Sequence, residues 1–121
     1  MEYLEVYSSW LKQNMSQRDN DGVISLVLPY LDKDNDFIEI YIVKEENGFT
    51  LTDDGETLNS LEMEGVSFSK DSEKLNSILD SFGVLREENE LIVKCQFNEL
   101  ALKIHMLSLC MMQVSNYFAS S

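Results

Sequence analysis

The sequence predicts an α+β fold: an antiparallel sheet of about five strands with helices packed on one face, in the order α-β-β-β-α-α-β-β-α. Three observations carry this. Residues 37–43 alternate strictly, with Ile38, Ile40 and Ile42 on one side and Phe37, Glu39, Tyr41 and Val43 on the other, the period of a strand. The links from this run to its neighbours are too short for parallel crossovers, so the strands run antiparallel. Residues 69–82 and the stretch from Asn98 to about Tyr117 repeat at three and four instead, the period of a helix.

Each element follows in order. Leu4, Tyr7, Leu11 and Met15, with Val6 and Trp10 beside them, make residues 2–15 an amphipathic helix. Residues 17–22 are polar, and Asp19-Asn20-Asp21-Gly22 is a turn signal. Residues 23–29 form a first strand that Pro29 stops, because proline has no N–H for the ladder. The polar run from Asp32 to Asp36 turns the chain into the alternating strand. A hairpin turn ending at Gly48 leads to a third strand over residues 49–52. Asp53-Asp54-Gly55 ends the sheet and opens a short helix marked by Leu58, Leu61 and Met63, with Gly65 at its C-terminal cap. The next helix, 69–82, buries Leu75, Ile78, Leu79 and Phe82 and ends at Gly83. Residues 84–85 and 91–96 pair as a hairpin around Glu87-Glu88-Asn89.

Asn98 is expected to cap the last helix, with Glu99 at the positive end of its dipole. Leu100, Ile104, Leu107, Met111, Val114 and Phe118 form one apolar stripe, and Leu102, Met106, Leu109 and Cys110 cover much of another face. So much apolar circumference predicts a homodimer interface at Leu102, Met106, Leu109 and Met112.

A length of 121 residues predicts a single domain over 1–121 with one core. The net charge is −13, from 22 acidic and 9 basic residues. That balance excludes general binding to nucleic acid or anionic membranes and favours a protein partner with a basic surface. Solubility alone accounts for the same charge, so both readings stand at this stage. Cys95 and Cys110 make no disulfide framework. The acidic N-terminus is no signal peptide, and no run reaches the roughly 20 apolar residues of a membrane span, so a cytoplasmic protein is expected.

The candidate binding residues fall in two groups. Asp53 and Asp54, with Glu56 behind them, offer adjacent carboxylates at a strand end; such oxygens ligate hard cations, or accept the free N–H groups of the following helix. Helix capping is the stronger of these readings, since no third ligand stands at a suitable spacing. Phe37, Glu39 and Tyr41 form the second group, on the sheet face that helices covering Ile38, Ile40 and Ile42 would leave open. Asp32, Asp34 and Asp36 have the first spacings of a calcium loop, but Phe37 and Val43 stand where it needs Gly and Glu, so an EF-hand is rejected. His105 is the one histidine, without a nucleophile motif to serve. No metal, cofactor or catalytic residue is predicted.

The run from Leu28 to Val43, then Gly48-Phe-Thr-Leu-Thr-Asp-Asp-Gly55, resembles a bacterial and phage family called domain of unknown function 1828. Trp10-Leu11, residues 75–84 and the final helix fit the same pattern. The resemblance implies an origin in phage or mobile elements and transfers no activity. In element order alone the chain is also similar to small acidic secretion chaperones, which imply dimers that bind extended peptides on their sheets. Three functions are therefore expected in turn: an acidic interaction module that regulates or inhibits a host nucleic-acid-handling protein; a chaperone-like peptide binder; and a metal-dependent enzyme at the Asp-Asp-Gly turn.

Overall fold

A computed structural model describes residues 2–70 and 72–119. Six strands form one antiparallel sheet: β1 (Ser16–Asn20), β2 (Val23–Leu31), β3 (Phe37–Glu45), β4 (Gly48–Thr52), β5 (Leu85–Glu87) and β6 (Glu90–Cys95), in the spatial order β1-β2-β3-β4-β6-β5. Among the described residues four α-helices accompany them: α1 (Tyr3–Gln13), α2 (Glu56–Met63), α3 (Glu73–Phe82) and α4 (Leu100–Phe118). The α+β class and antiparallel sheet are as the sequence predicts, with one strand more.

The added strand is β1. Its five residues are polar and exposed, so no apolar period marked it. It pairs with β2 through the main chain, from Ser16 opposite Val27 to Asn20 opposite Val23. Asp21 and Gly22, with φ of 53° and 88°, make the two-residue turn whose positive φ angles match strand twist.

Strand β2 also runs past Pro29, which was expected to end it. The ladder with β3 shifts register between Val27 and Leu31, and Pro29 lies inside that irregular stretch, where a missing N–H is tolerated. Gly48 is required at the β3–β4 turn: its φ is +143°, and a Cβ there would meet the Cys95 carbonyl oxygen at 2.5 Å.

One sheet face carries the core. Leu28, Ile38, Ile40, Leu51, Leu91 and Val93 point to the side where α4 crosses β3, β4 and β6, flanked by α2 and α3. Inside α4, Leu107, Cys110, Met111 and Val114 are buried against that face. Each such apolar side chain contributes on the order of 1.5–3 kcal/mol by leaving water.

Several boundaries differ from expectation for identifiable reasons. Helix α3 begins at Glu73 rather than Ser69. The Arg86 guanidinium donates to the carbonyls of Phe68 and Ser69, at 3.2 and 2.8 Å, and holds that stretch outside the helix. Asn98 does not cap α4. It lies in a 3-10 turn, Phe97–Glu99, and the Glu99 carboxylate accepts the Gln96 N–H at 3.0 Å. Met63 is exposed rather than part of the α2 stripe. No residue of α1 is buried, although its apolar period is real; only Leu11 is half-covered, and Met15 just beyond it packs on the core. Among the described residues no helix is long and apolar enough to cross a membrane.

Candidate functional site

The β4 strand ends at Thr52, opposite Tyr41, so residues 37–40 of β3 continue beyond the last β4 pair. The chain leaves the sheet there and turns into α2. The gap between the extended part of β3 and the start of α2 is a crevice of about 260 Å³. Phe37, Glu39 and Tyr41 line it from β3, Asp53, Glu56, Thr57 and Ser60 from the α2 side, and Met111 and Ser115 from α4. Asp32 and Asp36 of the β2–β3 loop complete the rim.

Asp53 builds this corner. It is fully buried, and its carboxylate accepts three main-chain N–H groups: Gly55 at 2.9 Å, Thr57 at 3.0 Å and Leu91 at 3.0 Å. It thus caps α2 and ties that helix start to β6. Asp54 and Gly55 both take left-handed backbone, φ 59° and 80°, which swings the neighbouring carboxylate away. Asp54 is exposed and borders a separate shallow depression with Asn59, Glu87 and Glu90. The two adjacent aspartates therefore diverge, and the Asp53 oxygens are already engaged by N–H donors.

Glu39 is fixed by two hydroxyls, accepting from Ser25 Oγ and from Tyr41 Oη, the latter at 2.9 Å. The Tyr41 phenol is pushed up to about 12, first by burial, then by its bond to Glu39 and the negative charges of Glu39, Asp54 and Glu56. Phe37 is exposed at the mouth. Thr52 Oγ1 donates to Glu90 at 2.6 Å and accepts the Asp54 N–H at 2.9 Å, locking the turn.

The loop closing the other end is pinned by Lys33. Its ammonium binds Asp34 at 2.7 Å, Ser60 at 2.9 Å and Glu64, while its N–H donates to Ser115 Oγ at 3.2 Å. Asp34 and Glu64 raise the lysine pKa, and Lys33 lowers that of Asp34. The carboxylates of Asp32, Asp34 and Asp36 converge within 4.8 Å. Asp32 Oδ1 accepts the N–H groups of Asp34 and Asp36, at 2.8 and 3.0 Å, and Asp34 is engaged by Lys33, so the aspartate spacing shapes a turn.

Of the six predicted binding residues, five meet in one crevice and Asp54 stands outside it. The convergence of the sheet group with the Asp-Asp-Gly group was not read from sequence. Thr57, Ser60, Met111 and Ser115 were missed as lining; each has an ordinary helical role in the pattern. Of the residues named for a dimer, Leu102 is 60% exposed, Met106 and Leu109 are half-buried, and Met112 is half-buried and packs against the core. Cys110 instead faces the core, and His105 is exposed.

Fold and site together define an α+β domain with helices on one face of a six-stranded sheet and an acidic crevice at its split. The chain belongs to the family described as domain of unknown function DUF1828, whose profile matches residues 28–114. The matched span holds every crevice residue but Ser115, and leaves α1, with Trp10-Leu11, and β1 outside it. Comparison with curated proteins and with solved structures found no match.

Proposed function

We propose that the protein is a binding module for a basic protein partner, engaged through the crevice between β3 and α2. The observation that supports this best is the lining: Asp32, Asp36, Glu39 and Glu56 meet there with two aromatic rings, and among the described residues no Lys or Arg lines it. A surface that normally holds nucleic acid has the complementary charge, and covering it would inhibit its owner. A phage or mobile-element regulator acting in the cytoplasm would work in this way.

The test is capture of a partner from nuclease-treated lysate by the wild type and by an Asp36→Asn/Glu56→Gln variant. Both side chains are exposed, so the fold stays intact. The expected partner binds at low salt, leaves at high salt, and is lost by the variant. Retention that ignores both salt and variant rules the proposal out.

A second reading is favoured by residues 37–40, which β4 leaves unpaired on that side. An extended peptide adding to this edge would gain main-chain hydrogen bonds, as in strand addition. Weakened peptide capture by Phe37→Ala or Tyr41→Ala supports it. A second copy of the chain is proposed on the α4 face bearing Leu102. Sedimentation of Leu102→Glu, expected to be monomeric where the wild type is a dimer, decides that point.

A further inference from the structure

We infer that the crevice is a receptor for one arginine side chain presented by the partner. This rests on the basic-partner reading above and specifies the group that fits.

The first argument is size. At about 260 Å³ the crevice falls below the roughly 300–1,000 Å³ of sites for drug-sized ligands, and suits a single side chain. The second is the layered chemistry of its walls. Phe37, Ile38, Tyr41 and Met111 supply apolar and aromatic surface, which suits an alkyl stem and the flat face of a guanidinium. Hard metal cations demand a shell of oxygens and gain nothing from such walls.

The third argument is a set of acceptors without donors. The carboxylates of Asp36 and Glu56 border the crevice and make no side-chain hydrogen bond or ion pair among the described residues. Thr57 is more telling. It is only 8% exposed, and among the described residues its hydroxyl has no hydrogen-bond partner. Among the described residues no fully enclosed side-chain polar atom lacks a partner, so this hydroxyl borders open space. Thr57 lines the crevice. The Thr57 backbone is held in place, because its N–H donates to Asp53 at 3.0 Å. A buried hydroxyl left for an incoming donor, beside unengaged carboxylates, matches a group carrying several N–H bonds in one plane.

Arginine is favoured over lysine on the same grounds. Guanidinium is weakly hydrated, stacks on rings and spreads five donors in a fork, whereas ammonium is a compact, strongly hydrated charge. Glu39 is held by Ser25 and Tyr41 in advance, so an acceptor is oriented before the ligand arrives.

The probes are three blocked tripeptides, Gly-Arg-Gly, Gly-Lys-Gly and Gly-citrulline-Gly, titrated into the full chain and followed by amide NMR shifts. The arginine peptide is expected to move the amides of Phe37, Tyr41 and Thr57 saturably. The lysine peptide should bind about tenfold more weakly, and the uncharged citrulline peptide should leave the crevice unmoved. Thr57→Val should weaken the arginine peptide about tenfold, while Thr57→Ser restores it. Thermal midpoints of both variants check that the fold persists. Equal responses to arginine and citrulline, or shifts spread over the acidic surface without saturation, overturn the inference. Should the arginine peptide fail while Asp36→Asn/Glu56→Gln still abolishes partner capture, only the single-arginine receptor falls. Should both fail, the basic-partner reading falls with it.

Discussion

With its carboxylate holding the N–H groups of Gly55, Thr57 and Leu91, Asp53 joins a strand end, a helix start and a second strand at one buried point. Asp53→Ala strands three donors and is expected to cost about 3 kcal/mol or more, read as a lower urea midpoint at unchanged slope. Asp54→Ala removes an exposed side chain and should cost less than about 1 kcal/mol in the same melt. Nothing in the sequence separates these adjacent aspartates; the left-handed φ of Asp54 does so only in three dimensions. Tyr41 carries a pH prediction. Its phenol titrates near 12 rather than 10.0, so the folded chain holds that proton more tightly than the unfolded chain does. The stability this contributes is complete below pH 10.0 and is lost as pH rises toward 12. Tyrosinate absorbance should show a late-titrating tyrosine that Tyr41→Phe removes and Glu39→Gln shifts downward.

Helix α1 and strand β1 show how an element's signal and its burial come apart. The α1 stripe has the helical period, though less strongly than α3, yet Tyr3, Leu4, Val6, Tyr7 and Trp10 all face water. Period reports which side of a helix is apolar and says nothing of whether the chain covers it. Trp10→Ala, at a residue 50% exposed, should therefore change stability by less than about 0.5 kcal/mol, whereas Leu107→Ala in the core should cost about 2–5 kcal/mol. Denaturant melts followed by circular dichroism compare the two. Strand β1 is the reverse case, a real element with no apolar period, paired to β2 through the main chain. Asp21-Gly22 did announce it, since a two-residue Asp-Gly turn joins two strands and so requires one before it. The strict alternation of β3 and the stripes of α3 and α4 were legible because each element packs one face on a single core.

Across the whole molecule the charge of −13 acts against compactness. Raising salt from low to physiological strength should raise the thermal midpoint, because screening relieves repulsion among carboxylates that the fold crowds together. A midpoint falling with salt would show attractive ion pairs dominating instead. The layered plan followed from sequence because turn lengths and periods are local facts. The crevice did not, because it depends on β3 outrunning β4, a comparison of two strand ends brought together only by pairing.

The two free thiols lie in different elements, Cys95 at the end of β6 and Cys110 inside α4, and burial raises both, Cys110 to about 12. Neither reacts readily while covered, so a thiol reagent acts as a pair of clocks. Cys95, at the end of β6 that β5 does not pair, should be labelled through local fraying, and Cys110 only when the core itself opens. The ratio of the two rates would then measure how far the edge of this sheet breathes independently of the rest.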